Sequence, residues 1–206
     1  MNNSYYGSKQ KLIKGRASGY TEGMGIENGR YLSMTLPYAA GSLMSTVDDM
    51  LKWQNALKAN TLISKESYES ATNGSQLQNG NTISYGFGWD KGDLQGSPMI
   101  HHGGGIFGYT TFGLYLPKED IYVIGLSNCD CGNVTGITTR AAAIAMGKPI
   151  PNSDDAVQLS DAQLSKWTGA YAFDGGTVRF ITKEGNQVYS QREGSSKLPI
   201  LSLIHI

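Results

Sequence analysis

Three strand-like segments follow one another here with too little chain between them for a helix, and this limits the folds open to the sequence. Met99–Gly103, Tyr109–Leu116 and Ile121–Ser127 carry the strand pattern, and the last two are separated only by Pro117-Lys118-Glu119-Asp120. Parallel neighbours need a crossover of about a dozen residues or more, so these segments form an antiparallel meander and not a βαβ unit. Thr135–Met146 follows with Ile137, Ala141, Ile144 and Ala145 at helical spacing, which predicts a helix laid across the sheet. Upstream, Tyr85-Gly86-Phe87-Gly88-Trp89 alternates aromatic residues with glycine and predicts a strand whose bare side lies against another element. The expected class is α+β, an antiparallel sheet flanked by helices.

The first forty residues, rich in Gly, Tyr, Asn and Ser, show no sustained period and read as loops and short strands. Ser45-Thr46-Val47-Asp48-Asp49 then opens a helix, with Ser45 as a cap, acids in the first turn, and Val47, Met50, Leu51 and Leu57 on one face. That helix runs to Ala59, and a second, serine-capped one covers Ser64–Ala71. Gly147–Asp155 sets two prolines among polar residues and reads as a linker. The chain therefore divides into a first domain over 1–147, a linker over 148–160 and a small β-rich domain over 161–200. In the last, Ser160 caps a short helix to Trp167, and strands near Gly169–Phe173, Thr177–Thr182 and Gln187–Arg192 are separated by Asp174-Gly175-Gly176 and Glu184-Gly185-Asn186.

With 39% hydrophobic residues, 17% charged ones and a formal net charge of zero, the chain has no electrostatic footprint for nucleic acid or an anionic membrane. No nucleic-acid partner is expected. No segment approaches the roughly 20 apolar residues of a spanning helix, and Met1–Tyr6 lacks a basic region followed by an apolar one. Cys129 and Cys131 stand one residue apart, a spacing that disfavours a mutual disulfide, and two sulfurs fall short of the roughly four ligands of a zinc site. Free thiols on a loop are expected. A metal site that adds His101 and His102 ranks well below the other readings, because adjacent strand residues point to opposite faces and at most one histidine could join the cysteines. Neither a metal nor another cofactor is expected.

The sharpest local signal is His101-His102-Gly103-Gly104-Gly105-Ile106-Phe107-Gly108-Tyr109. Successive glycines cost backbone entropy on folding, and a strand keeps them where side chains would obstruct something. The space is left either for a substrate lying along the strand, bonded to backbone amides with one amide polarising its carbonyl, or for a tight turn of the chain itself. In the second case His102 is an ordinary surface or core histidine.

The series Tyr38-Ala39-Ala40-Gly41-Ser42-Leu43-Met44-Ser45-Thr46, Asp49, Trp53, Tyr85–Trp89, His102-Gly103-Gly104, Gly108-Tyr109, Pro117 and Ser127-Asn128 resembles the C-terminal half of the serine β-lactamase family. That family includes class C β-lactamases, DD-peptidases and related esterases. The resemblance covers residues 1–147 and implies a partial β-lactamase/transpeptidase-like fold. In the family a nucleophilic serine in S-x-x-K and a second motif, Y-x-N or S-x-N, precede K-T-G or H-x-G on the strand beside the active site. Neither Y-x-N nor S-x-N occurs here, the S-x-x-K spacing occurs only as Ser8-Lys9-Gln10-Lys11 with no second motif between it and the third, and the third stands as His102-Gly103-Gly104. Carried over, His102 takes the lysine position and orients substrate or assists proton transfer. Gly103, Gly104 and Gly105 line the substrate, and the Gly105 amide is an oxyanion donor. An imidazole that titrates near neutrality is a less permanent cation than lysine, which leans toward the DD-peptidase and esterase branches. Ser45 as a cap and Ser42 in the Ala39-Ala40-Gly41-Ser42 turn are not nucleophile candidates.

Residues 161–200 resemble the β-rich C-terminal extension of many such hydrolases, with Leu164, Gly169-Ala170-Tyr171 and Gly185 in its order. Leu201–Ile206 resembles the translated end of a transposon used in sequencing libraries, which makes it a candidate non-native tail; the alternative is a native apolar strand, which its alternation permits. The expectation is thus the C-terminal part of a serine hydrolase acting on amide, β-lactam or ester bonds, inactive alone, with the question of whether Met1 is a true start left open. Its substrate would be a small molecule or peptidoglycan-like, and the resemblance implies a periplasmic or extracellular site. Membrane association and oligomeric state stay open. The rival is a complete non-catalytic module that binds peptidoglycan or a partner through the glycine strand.

Overall fold

The computed structural model describes residues 1–7, 11–151, 157–173 and 176–200. Residues 152–156 of the predicted linker, 174–175 of a predicted turn and the tail 201–206 lie outside the described residues. The chain forms two compact units, Met1–Pro149 and Ile150–Ile206. In order, the first unit holds β1 (Tyr5–Tyr6), β2 (Tyr20–Glu22), β3 (Ile26–Asn28), α1 (Tyr38–Gly41), β4 (Leu43–Met44), α2 (Val47–Lys58), α3 (Lys65–Thr72), β5 (Ser75–Gln76) and β6 (Thr82–Ile83). Then come β7 (Asp90–Leu94), β8 (Ser97–Ile106), β9 (Tyr109–Leu116), β10 (Ile121–Ser127) and α4 (Val134–Ala145).

The meander is an antiparallel sheet in the order β10-β9-β8-β7. Gln95 and Gly96 join β7 to β8 with φ of 51° and 84°, the left-handed geometry that a two-residue hairpin requires. Buried between two strands, β9 carries the core residues Phe112, Leu114 and Leu116 on one face. Each such side chain contributes about 1.5–3 kcal/mol by leaving water. Gly125 stands opposite Phe112 in the register and shares that face. A Cβ on Gly125 would lie 2.3 Å from Thr138 Oγ1, so α4 packs there at very close range.

That close approach corrects the face expected for α4. The helix buries Thr138, Ala142 and Ala143, while Ile137 and Ile144 are 67% and 66% exposed. Only small side chains fit over Gly125, so spacing located the helix and packing chose its face. Helix α2 differs in two respects. Its cap is Thr46, whose hydroxyl accepts from the Asp49 amide, whereas Ser45 bonds to Ser4. Its buried residues are Asp49, Gln54 and Leu57, with Val47 and Leu51 about half exposed. Asp49 accepts from Asn3 N–H at 2.7 Å, Ser4 Oγ at 2.9 Å and Lys52 Nζ at 3.2 Å. Burial pushes its carboxyl up, but these bonds outweigh that and hold it at about 2. The bonds tie the N-terminal segment to α2.

The predicted strand at Tyr85–Trp89 is a bend. Gly86 N–H donates to Trp89 O and Phe87 N–H to Ala71 O, and Gly88 has φ of 82°. A Cβ on Gly86 would lie 2.0 Å from Ala71 O, so this glycine permits backbone to pass the end of α3. The regular strand begins only at Asp90.

The second unit holds α5 (Asp161–Ser165), β11 (Gly169–Ala172), β12 (Val178–Glu184), β13 (Gln187–Arg192) and β14 (Leu198–Ile200), the strands in that order in one antiparallel sheet. Ser160 caps α5 and Gln163 reciprocates in a capping box. Strand β14, which is not among the predicted strands, carries Pro199 and lies at the edge of its sheet, where a proline is tolerated.

Candidate active site

The glycine run lies at the end of β8. Ile106 and Tyr109 flank the two-residue turn Phe107-Gly108 and pair across it, so they exchange both backbone hydrogen bonds. Bonding then alternates: Ile106, Gly104 and His102 face β9, while Gly105, Gly103 and His101 turn their amides and carbonyls to the other edge. Strand β7 covers that edge only as far as Asp90, which pairs with His101. Beyond it, among the described residues, no strand pairs with β8. Gly103 and Gly105 thus present two amides along an open edge, and both residues are exposed.

The three glycines have different causes. A Cβ on Gly103 would sit 3.3 Å from Phe112 Cδ2, and one on Gly104 would sit 2.9 Å from Thr111 Oγ1. These two answer in part to cross-strand packing. A Cβ on Gly105 would meet only Thr110 Cγ2, at an ordinary 4.0 Å. The chain's own packing therefore gives no reason for glycine at 105. This residue borders a shallow groove, about 350 Å³, with Leu32, Ile106, Phe107 and Asp130.

His102 and His101 point to opposite faces, as adjacent strand residues must. His101 is half-buried, with its ring 5.5 Å from that of Phe112. His102 is exposed, and both its nitrogens are engaged: Nδ1 lies 2.6 Å from Gly103 O and Nε2 lies 2.8 Å from Tyr85 Oη. A carbonyl only accepts, so Nδ1 carries a proton; in the neutral ring Nε2 then accepts from the Tyr85 hydroxyl. The two rings meet edge to face at 5.6 Å. The pair can pass a proton between phenol and imidazole beside the open amides.

Sequence reasoning placed Tyr85 in a motif but gave it no partner. Its approach to His102 depends on the β7–β8 hairpin, whose local sign was the Gln95-Gly96 turn. Asp130 was also missed. Its Oδ2 accepts from Gly108 N–H at 2.8 Å, and this bond, with a further one from the Thr21 hydroxyl, holds its carboxyl below the usual carboxylate range. Ser42 is buried with Oγ bonded to Met34 O, consistent with a structural part.

Cys129 and Cys131 form a disulfide, contrary to the free thiols expected. The loop turns between them and brings their Cα atoms to 5.2 Å, inside the ordinary span for a bridge. Neither sulfur is then a thiolate ligand.

The sequence model of the family described as Beta-lactamase matches residues 1–146. Penicillin-binding protein 4* of Bacillus subtilis (strain 168) is 32% identical over 171 residues, covering 78% of this chain and 37% of that protein. The octameric penicillin-binding protein homologue from Pyrococcus abyssi superposes with a TM-score of 0.62 at 24% identity, over 98% of this chain and 47% of that one. D-Amino acid amidase from Ochrobactrum anthropi SV3 gives 0.57 at 19% identity, over 71% and 47%. Both structural likenesses speak for the fold, and the chain spans less than half the length of each of these three proteins. With residues 1–146 matched by its sequence model, the chain belongs to the beta-lactamase family.

Proposed function

We propose that this chain supplies one wall of a serine-hydrolase acyl-transfer site, for amide, β-lactam or ester substrates of the DD-peptidase or esterase kind. A substrate lies along the β8 edge as an added strand, bonded to Gly103 and Gly105, with the Gly105 amide aimed at the developing oxyanion. His102, held by Tyr85, orients substrate or relays a proton. The observation that carries this is the open edge beyond Asp90, with Gly105 unexplained by the chain's own packing.

The chemistry needs a serine to attack the carbonyl, two amides to hold the oxyanion, and water to release the acyl group. One such donor is worth about 10²–10³ in rate. Ser8-Lys9-Gln10-Lys11 has the S-x-x-K spacing, but no Y-x-N or S-x-N follows it in these residues, so the chain alone does not acylate. The similarity to a penicillin-binding protein supports a peptidoglycan-like substrate.

The test compares this chain with the same chain extended upstream, in frame, through a segment bearing S-x-x-K followed by Y-x-N or S-x-N. Each is incubated with a fluorescent penicillin, a chromogenic ester and an acyl-D-Ala-D-Ala peptide. Labelling and turnover are expected in the extended protein alone. Labelling of the short chain that survives alanine replacement of each serine would overturn the assignment. Peptide binding without acylation in the extended protein would favour a non-catalytic binding module.

A further inference from the structure

Neither cysteine of the Cys129–Cys131 loop has a role in the acyl transfer described above. We propose that the loop is a thiol–disulfide exchange site, reduced and reoxidised in the folded protein by a dithiol, and that its state sets how firmly the β8–β9 hairpin is held.

Three observations point there. First, the bond spans a single residue, so it removes little loop entropy from the unfolded chain, which is the main stabilising effect of a structural bridge in the chain-entropy account. Second, the sulfurs are unequal. Cys131 is exposed and Cys129 half-buried, and the Cys131 amide donates to Cys129 Sγ at 3.3 Å. An incoming thiolate therefore reaches Cys131 Sγ, while the departing charge on Cys129 Sγ is met by an N–H, and a stabilised leaving thiolate departs faster. Third, the same loop clamps the hairpin. Asp130 Oδ2 accepts from Gly108 N–H at 2.8 Å, and Cys129 O accepts from Thr110 Oγ1 at 3.0 Å. The loop also pairs with β2, Asp130 N–H donating to Tyr20 O at 3.1 Å.

In the exchange, one thiolate of the dithiol attacks Cys131 Sγ, and the Cys129–Cys131 bond breaks with its electron pair on Cys129 Sγ, which takes a proton from water. The second thiolate then attacks the mixed disulfide and releases Cys131 as a thiol. The reductant leaves as its own disulfide, and two electrons and two protons reach the protein. Asp130, no longer held in a closed ring, loosens its grip on Gly108.

The test equilibrates the chain in graded mixtures of reduced and oxidised dithiothreitol without denaturant, then alkylates with iodoacetamide and weighs it. Both cysteines are expected to alkylate together while the far-UV signal stays folded. On reduction the Gly108 amide should exchange with solvent about tenfold faster, the equivalent of one lost hydrogen bond. A Cys129→Ser/Cys131→Ser variant should match the reduced chain, and Asp130→Ala should match it with the disulfide intact. Alkylation that requires urea, or an unchanged Gly108 exchange rate on reduction, would overturn the proposal. Neither readout depends on the hydrolase assignment.

Discussion

Gly105 and Gly108 lie in one hairpin and should respond in opposite directions to an added methyl group. At Gly105 the backbone is outside the left-handed region and the new Cβ would meet only Thr110 Cγ2, at 4.0 Å. Alanine in a strand interior is favoured over glycine by about 0.5–1 kcal/mol, largely because the unfolded chain has less freedom to lose. Gly105→Ala should therefore stabilise the chain by that amount. At Gly108 φ is 82° and the Cβ would stand 2.7 Å from Gly19 C and 2.8 Å from Gly19 Cα. The left-handed conformation costs a side chain roughly 1–2 kcal/mol, and forcing atoms against fixed backbone costs about 1–3 kcal/mol more. The two variants should differ by about 2.5–6 kcal/mol. Urea unfolding followed by far-UV circular dichroism measures this, with equal slopes required for the comparison. If Gly105→Ala destabilises by more than about 1 kcal/mol, the chain's own atoms fill that position and the acyl-strand assignment loses its support.

Gly125→Ala should cost about 1–3 kcal/mol through the Thr138 contact, and little or nothing in a Thr138→Ala background; equal costs in both would place α4 elsewhere. Because the Asp49 carboxyl is held at about 2 against an ordinary 3.8, its bonds stabilise the fold above about pH 4 and that contribution fades as pH falls toward 2. Asp49→Asn should therefore be less stable at neutral pH and show a shallower loss across that window, read from unfolding midpoints. Tyr85→Phe should change stability by less than about 1 kcal/mol, since the bond is exposed, yet shift the nitrogen resonances of His102; unchanged resonances would show that the two rings do not bond.

The parts of the fold set by local chemistry were legible in the sequence. The meander follows from Pro117–Asp120, a connection too short to cross over, and α3 and α5 from Ser64 and Ser160, which accept the amides of Ser67 and Gln163. What escaped depends on contacts between distant segments. Tyr85–Trp89 alternates like a strand, but Gly86 serves a passage past Ala71 O and Gly88 a left-handed bend, which no local pattern announces. The face of α4 follows from Gly125 on another element. Cys129 and Cys131 meet because their loop turns back toward Tyr20 and Gly108. At the candidate site, His102 and the glycines were proposed from the residues with the family resemblance, whereas Tyr85 and Asp130 come near them only once the hairpins close.

Residue-resolved amide exchange of the unliganded chain tests the open β8 edge most directly. His102, Gly104 and Ile106 donate into β9 and should be protected, while Gly103 and Gly105 between them should exchange at close to solvent rates. Protection of Gly105 equal to that of Gly104 would mean the edge is already paired and has no place for a substrate.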